Sequence, residues 1–358
     1  MHLEQQPDGS TSTSTSRRQF LMDALTVGSV ATSLPLFARA DRSDDGDRFT
    51  DAFSERVAEM RRKLASDPDR PAYHFVAPAY SIGEGCYYSD GHYHIFYRWS
   101  PVETNGQDAR WAHAISRDLL GWRDLPFTAS ALAKVKQADC LRSASSTSVD
   151  PGQQRTCLSW LTESLNAKSL KAQGWAGVLG LPTTLSLSGR GRRRIDPAAA
   201  LACLRRDHQR ISSGSFSDEM TVSEIRGNSM EIEVIIAPQN TTTCGVKVLS
   251  SPDSEEETVV RYYPEKQELT LDPSRSSINT NAITRNPQTV PLELAAGEPL
   301  KLHMFLDRSV IEVFANGVQC LVERVYPSRS DSLDIRLFAG GARARLVSLN
   351  AWQIASIG

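Results

Sequence analysis

Residues 300–326, LKLHMFLDRSVIEVFANGVQCLVERVY, constrain the fold more than any other stretch of the chain. Their pattern predicts three strands in series: Leu300–Leu306, Val310–Ala315 and Val318–Tyr326. Asn316-Gly317 between the second and third strands suits the two positive φ angles of a type I′ hairpin turn, and Pro327 ends the last strand. The stretch therefore predicts an antiparallel meander with one buried face, and on its own it indicates no chemistry.

Composition excludes several classes of protein. The 358 residues include 40 basic and 42 acidic side chains, a balance that does not indicate a nucleic-acid partner. The length allows two domains. The six cysteines show no CxxC and no metal-ligand spacing, and we interpret them as buried thiols rather than a disulfide framework. No cofactor motif is visible, because Gly189-Arg190-Gly191 is too short for a phosphate loop, and no metal site is predicted.

The first 40 residues have the organisation of an export signal. Arg17-Arg18 precede Phe20-Leu21, the apolar stretch Ala24–Leu36 follows, and Ala38-Arg39-Ala40 ends the segment. The paired arginines resemble a twin-arginine signal. A membrane anchor is the alternative, but the apolar stretch is shorter than the ~20 residues that span a bilayer. The sequence thus predicts a periplasmic or extracellular protein, exported already folded and not membrane-bound once the signal is removed.

Residues 41–73 are predicted to be a linker with a short helix. Phe53, Val57, Met60 and Leu64 have helical spacing within Phe53–Ala65. We expect this helix to pack outside the main fold. Residues 74–125 have strand and turn signals, and from Ser212 strands recur every 8–12 residues, which predicts an all-β protein.

Several separated motifs resemble glycoside hydrolase family 32, which contains invertases, inulinases and levanases. FLDRSVIEVFANG, CLVERVYPSRSDS, LFAGG and LNAW follow one another in the order found in that family's C-terminal β-sandwich. The resemblance covers about residues 212–354 and implies a sandwich domain over residues 212–358. It also implies an N-terminal five-bladed β-propeller, which in that family carries the catalytic residues.

The propeller part is predicted to be incomplete. His74-Phe75, YHIFYR and WAHAISRDLLGW resemble the first blade, while CLSWLTE and GWAGVLGLP resemble the last. The middle blades have no counterpart. Residues 74–205 have room for about three blades at roughly 45 residues each, fewer than the resemblance requires. The fold class predicted is therefore a partial five-bladed-type β-propeller followed by a C-terminal β-sandwich.

The sequence differs from the family pattern at the catalytic positions. The slot of the family's nucleophile, the Asp of an N-D-P-N-G motif, holds Ile82 in this chain. Glu84 is the nearest carboxylate. On a strand, two positions move a side chain by ~6.6 Å, too far for a retaining pair ~5–5.5 Å apart. Inside a loop that objection is weaker, so Glu84 stays a substitute candidate.

The family's two other acidic motifs have no clear counterpart. R-D-P carries the transition-state stabiliser and E-C carries the acid/base. Asp139-Cys140 is the nearest match to E-C, but it precedes Asp150-Pro151, whereas the family places R-D-P first. Asp150-Pro151 fits an ordinary turn better. The sequence therefore offers no intact catalytic residue.

Part of the substrate pocket is still recognisable. Trp111 matches the tryptophan that lines the fructose pocket in the family, and Arg98 stands where the family has Gln. The alternatives are a core aromatic residue for Trp111 and a surface arginine for Arg98. His113 matches a blade-core position.

Three hypotheses follow for the function. The first is a family 32 protein, of a family that hydrolyses β-fructofuranosyl bonds of sucrose or fructans with retention, whose activity is impaired. The second is an exported, non-catalytic carbohydrate-binding or interaction protein that uses the sandwich. The third is an active fructosidase with displaced carboxylates such as Glu84 and Asp90. In each the partner class is a carbohydrate, if any.

Overall fold

The computed structural model of the protein describes residues 58–77, 80–100, 110–125, 145–149, 155–189, 191–283 and 285–357, together with Glu55. The predicted signal, residues 1–40, and the motifs Asp139-Cys140 and Asp150-Pro151 lie outside these ranges. None of the helices within them has the length and apolar character that crossing a bilayer demands. The described ranges all fall in one unit, Asp47–Gly358.

The first sheet is an antiparallel meander of four strands in sequence order. These strands are β1 (Tyr80–Ser89), β2 (His92–Ser100), β3 (Arg110–Ser116) and β4 (Arg123–Leu125). Asp90 and Gly91 form the turn between β1 and β2, with φ angles of 51° and 76°. Alternate residues Tyr93, Ile95 and Tyr97 of β2 are buried in one hydrophobic cluster, because side chains point to opposite faces along a strand.

A second meander of four strands has the same order. Its strands are β5 (Ser145–Val149), β6 (Arg155–Ser159), β7 (Thr183–Leu187) and β8 (Arg193–Pro197). Four-stranded meanders are the blades of propellers, so the described part of residues 74–205 contains two blades, where the length allowed about three. Residues 126–144, between the two, lie outside the described ranges.

Two helices accompany the blades. Helix α1 covers residues 58–65, and helix α2 (Ala167–Gln173) connects β6 to β7. The Asn166 side chain caps α2 by accepting a hydrogen bond from Ser169 N, and Gly174 ends it at φ 79°.

The expectation that the leader helix packs outside the main fold is wrong. Leu64 of α1 is 2% exposed and packs with Val76, Trp175 and Val310. Arg61 of the same helix forms a salt bridge of 2.9 Å with Asp124. Met60 and Leu64, the described residues of the predicted apolar face, both pack into hydrophobic clusters, which removes them from water.

The C-terminal part forms one eleven-stranded sheet. Its strands are β9 (Arg205–Ile211), β10 (Gly214–Arg226), β11 (Ser229–Ala237), β12 (Thr243–Ser250), β13 (Glu257–Tyr263), β14 (Glu268–Arg275), β15 (Gln288–Pro291), β16 (Leu300–Asp307), β17 (Val310–Ala315), β18 (Gln319–Arg324) and β19 (Asp334–Ile354). Strand β9 precedes the predicted start of the sandwich at residue 212. It is preceded by a 3-10 helix, Ala199–Leu204.

Strand β19 joins the two layers of the sandwich. Its first part pairs with β12 and its last part with β11. Gly340 and Gly341 lie between the two parts, and Gly341 has φ 81°. A strand that changes layers in this way turns a single sheet into a closed sandwich, and the apolar side chains of both layers form the largest hydrophobic cluster.

The meander predicted at residues 300–326 is confirmed. Strands β16, β17 and β18 pair in order, and Asn316 and Gly317 adopt φ 48° and 66°. One expectation is wrong, because all six residues of β17 are buried. Ile311 and Val313 face the sandwich core, while Phe314 belongs to a cluster shared with residues of the blades. The second face is therefore buried as well.

The cysteines follow the prediction only in part. Five of the six are described, and no disulfide joins any two of these five. Cys86 and Cys244 are buried, whereas Cys203 is exposed. Cys140 lies outside the described residues.

Gly317 gives a test of the hairpin tip. A Cβ added there would lie 2.5 Å from Arg194 Nη2 of β8, at a φ of 66° that L side chains rarely adopt. We expect Gly317→Ala to lower the free energy of unfolding by about 2 kcal/mol, from backbone strain and from displacement of Arg194.

Gly297→Ala is the matched control. Gly297 also has a positive φ, 78°, but a Cβ there meets no heavy atom within 4 Å. Gly297→Ala should lower the free energy of unfolding by about 1 kcal/mol, from backbone strain alone. Urea unfolding of both variants measures the difference, and equal losses would show that the contact with Arg194 does not matter.

Candidate functional site

The predicted site positions lie in one row across the first sheet. Ile82 of β1 is opposite Arg98 of β2, and Arg98 is opposite Trp111 of β3. Residues directly opposite in antiparallel strands share a face of the sheet. The register thus brings together the three positions that the sequence assigned to the nucleophile slot and to the pocket wall. Arg98 and Trp111 are half-buried, and the side chain of Ile82 is outside the described part.

Glu84 occupies an irregular position in β1. Gly83 pairs with Tyr97 and Gly85 with Phe96, so that Glu84 is the extra residue of a β-bulge. A bulge interrupts the alternation of side chains and re-aims the residue it contains. The argument from regular strand geometry therefore does not apply to Glu84, whose side chain is also outside the described part, and its role stays a prediction.

Aromatic rings continue the face on which Arg98 and Trp111 lie. Phe96 and His113 stack at 4.3 Å between ring centroids, and His94 stacks on Tyr87 at 4.6 Å. His94 Nδ1 and His113 Nε2 are 3.0 Å apart, so one of them donates to the other. His113 is 7% exposed, which confirms it as a blade-core position.

Most of the carboxylates described in the blades form hydrogen bonds or ion pairs that stabilise the fold. Asp118 accepts hydrogen bonds from the backbone of Leu120 and Gly121 and from Ser116 Oγ. Burial opposes its ionisation, but these hydrogen bonds outweigh burial and hold the pKa of Asp118 below its usual value. Asp124 is bound by Arg61 and by the hydroxyl of Tyr97.

The remaining described carboxylates of the blades are also engaged. Asp196 pairs with Arg194 at 2.7 Å, and Asp90 accepts a hydrogen bond from Ser89 Oγ. Glu163 is bound to Arg324 and Tyr326 of the sandwich. Within the blade residues whose side chains are described, each carboxylate thus has a hydrogen-bond or ionic partner.

A buried cluster at the junction of blades and sandwich was missed by sequence reasoning. Asp307, at the end of β16, accepts hydrogen bonds from the backbone N–H groups of Ala72, Tyr73 and His74, at 2.6, 2.9 and 3.0 Å. The His74 ring lies between two carboxylates, with Nδ1 2.7 Å from Asp307 and Nε2 3.2 Å from Glu312. All three side chains are buried.

The two carboxylates that flank the His74 ring favour its positively charged form. Burial alone would lower the pKa of His74, but hydrogen bonds to Asp307 and Glu312 outweigh burial and raise it to about 9. A signal was present in the sequence, since Glu312 is the lone charge in an otherwise apolar strand. A buried charge needs a partner, but the sequence does not show that the partner is His74.

A second buried cluster lies beside it. The side chain of Arg324 is fully buried and binds Glu163 at 2.9 Å and the hydroxyl of Tyr326 at 2.6 Å. Tyr326 donates to the other oxygen of Glu163 at 2.7 Å. Burial raises the pKa of Tyr326 above its usual value. Each charged group of the cluster has a partner, so the cluster holds the segment after β6, which contains Glu163, against the sandwich.

One group in the described residues has the composition of a metal site. Glu231, Glu233 and His303 lie close enough to share an ion. Arg205 fills this position, however, with Nη2 2.5 Å from Glu231 and 3.0 Å from Glu233. Burial opposes ionisation of Glu231, but the hydrogen bonds from Arg205 and His303 outweigh it and lower the pKa of Glu231. The carboxylate oxygens of the group therefore already bind the guanidinium of Arg205.

Comparison with known proteins was made by sequence family and by individual relatives. The model of the glycosyl hydrolases family 32 C terminal matches residues 201–353, and the model of the family 32 N-terminal domain matches residues 74–143. Sucrose-6-phosphate hydrolase of Escherichia coli is 27% identical over 210 residues, which is 56% of this chain and 40% of that protein. Beta-fructofuranosidase insoluble isoenzyme 1 of Oryza sativa subsp. japonica is 26% identical over 257 residues, with 59% and 44% covered.

Solved structures show the same fold. Fructan 1-exohydrolase IIa of Cichorium intybus superposes with a TM-score of 0.70 at 13% identity, over 81% of this chain and 98% of that one. Sucrose-6-phosphate hydrolase of Lactobacillus gasseri gives 0.66 at 14% identity, over 85% and 97%. By sequence, the chain spans less than half the length of the curated relatives described above.

The charge on His74 predicts a pH dependence of stability. Its pKa is raised from 6.5 to about 9 in the folded protein. The stabilisation is therefore fully present below pH ~6.5 and is lost as the pH rises through about 9. At about 1.4 kcal/mol per pKa unit, the loss should be about 3 kcal/mol.

His74→Gln removes this titration and serves as the reference. Urea unfolding of the wild type and the variant is measured from pH 6 to pH 10. Their free energies of unfolding should converge as the pH rises. Parallel curves over this range would mean that His74 is neutral in the folded state. Direct titration of the His74 ring by NMR provides a second measurement.

Proposed function

The chain belongs to glycoside hydrolase family 32, and on that premise we propose that it keeps the architecture of a β-fructofuranosidase while its hydrolytic activity is impaired. Its family hydrolyses β-fructofuranosyl bonds, and sucrose or a fructan is the carbohydrate partner we infer for it. The relatives support this class, since one neighbour was solved in complex with 1-kestose and another with sucrose.

Ile82 carries the proposal. Retaining hydrolysis needs a carboxylate that attacks the anomeric carbon and a second carboxyl group ~5–5.5 Å away. An isoleucine side chain can neither attack nor accept a hydrogen bond. Because Ile82 is in register with Arg98 and Trp111, the proposed slot adjoins what remains of the pocket wall, and the missing group is the one that performs the chemistry.

The carboxylates of the blades support the same proposal. Those with described side chains are held by hydrogen bonds or ion pairs, such as Asp124 by Arg61 and Glu163 by Arg324. A group that holds other elements in place is a poor nucleophile because its lone pairs are already engaged.

A displaced pair formed by Glu84 and Asp90 does not fit the geometry. Both belong to the β1–β2 hairpin, with Glu84 in the bulge and Asp90 in the turn. Six residues of extended strand separate groups by about 20 Å, far more than a retaining pair allows. An active enzyme with Glu84 as nucleophile would need a partner other than Asp90.

A non-catalytic carbohydrate-binding protein is the second candidate. The sandwich supports it, because its eleven strands and the largest hydrophobic cluster are complete. Binding through such a domain requires no catalytic carboxylate.

We also propose export through a twin-arginine-type signal, to the periplasm or the extracellular space. Its support is the sequence of residues 1–40, where Arg17-Arg18 precede an apolar stretch.

The purified mature chain should release no fructose from sucrose, inulin or levan. Ile82→Asp should not restore activity, because the acid/base partner is still missing and groups that act as a unit are strongly non-additive. Reducing-sugar and fructose assays measure the rate. Clear turnover that disappears in Glu84→Gln but not in the matched surface variant Glu224→Gln would refute impairment and establish Glu84 as a relocated nucleophile.

Replacing both Arg17 and Arg18 by Lys should retain the precursor in the cytoplasm, since the twin-arginine pair is what this route recognises. Cell fractionation followed by immunoblotting gives the distribution. Unchanged delivery of the double variant would point to a different route.

A further inference from the structure

One cavity among the described residues lies away from the row formed by Ile82, Arg98 and Trp111. It has a volume of about 890 Å³ and is bounded by the end of α1 and the turn after it, by α2, and by loops of the sandwich. None of its lining residues belongs to β1, β2 or β3. The polar lining residues used below are Asp67, Asp69, Asn228, Asn279, Asn281 and Arg308.

Part of this lining is fixed by contacts within the protein. Asp67 accepts hydrogen bonds from Trp175 Nε1 at 2.7 Å and from Asp69 N at 2.8 Å. Asn279 Oδ1 accepts one from Asn281 N at 3.0 Å. Arg308 donates to the carbonyl of Arg70 at 2.8 Å. These contacts give the cavity a preformed wall, which lowers the ordering cost of binding.

Three other groups at the cavity have unused hydrogen-bonding capacity. Within the described part of the chain, the carboxylate of Asp69 and the side-chain amides of Asn228 and Asn281 have no hydrogen-bond partner. Burial and the neighbouring Asp67 raise the pKa of Asp69, against the opposing influence of Arg324 and Arg308. Together they present carboxylate and amide oxygens as acceptors and amide N–H groups as donors.

The charges at the cavity do not favour an ionic ligand. Lys63 is paired with Glu59 at 3.1 Å. Arg329 is paired with Asp253, Glu255 and Asp331 at 2.6 to 2.8 Å. Arg308, the third cation of the lining, lies near Asp69 and acts to lower the pKa of that carboxyl. Because all three cations have acidic neighbours, an anion would gain little by entering. Apolar surface is available from Pro68, Leu165, Ala172 and Pro327.

We propose that this cavity binds a neutral oligosaccharide. Adjacent hydroxyl groups of a sugar donate and accept at once, which matches Asp69, Asn228 and Asn281, and the C–H faces of the ring match the apolar lining. The volume falls within the range of about 300–1,000 Å³ for small-molecule sites. The site lies outside the blade positions that match the family's catalytic centre, so it goes beyond fructoside hydrolysis and does not depend on it.

Isothermal titration calorimetry of the mature chain tests the proposal with three probes: 1-kestose, maltotriose and inorganic phosphate. At least one trisaccharide should bind. The double variant Asn228→Ala/Asn281→Ala should weaken binding at least fivefold, the effect of losing about one net hydrogen bond. Binding of 1-kestose alone identifies a fructan ligand, and binding of maltotriose identifies a wider class.

Asn286→Ala is the matched control. Asn286 is an exposed asparagine near Asn279 and Asn281 in sequence, but it does not line the cavity, and its variant should bind as the wild type does. Urea unfolding verifies that all variants fold. No binding of either trisaccharide, unchanged binding in the double variant, or binding of phosphate alone would overturn the proposal. Release of fructose from 1-kestose would contradict impaired catalysis and leave the maltotriose measurement valid.

Discussion

The junction between blades and sandwich depends on the carboxylate of Asp307. It receives three backbone N–H groups of residues 72–74 and the ring of His74. A buried charge without partners costs several kcal/mol, whereas one that is fully bonded fixes its neighbours in place. The chain that enters the first blade is thereby attached to the end of β16, and the position of that blade relative to the sandwich follows.

The sandwich packs directly against the two described blades. Strand β17 is buried on both faces, one in the sandwich core and the other against residues of the blade region. Arg324 binds Glu163, and helix α1 inserts Leu64 between Val76, Trp175 and Val310. The two described blades therefore share their cores with their neighbours. An isolated blade would instead expose its edges and faces to water.

The proposed loss of catalytic groups and the preservation of the fold concern different residues. Fold stability rests on Asp307, Glu312, Glu163 and Arg324, which are buried and paired. None of these four residues is among Ile82, Arg98 and Trp111, the positions that the sequence assigns to the site. The proposed loss of the family's chemistry would therefore leave the buried, paired groups that hold the architecture in place.

The sequence by itself determined the strands, the hairpin turns and the family, because alternation, Asn316-Gly317 and the ordered motifs are local signals. It also identified Ile82, Arg98 and Trp111, which the register then aligned. Only the tertiary structure decided that β17 is buried on both faces, that α1 packs into the core, and that Asp307 and Glu312 enclose His74. These depend on contacts between residues more than 200 positions apart, such as His74 and Asp307, and sequence periodicity carries no information about which distant partner satisfies a buried charge.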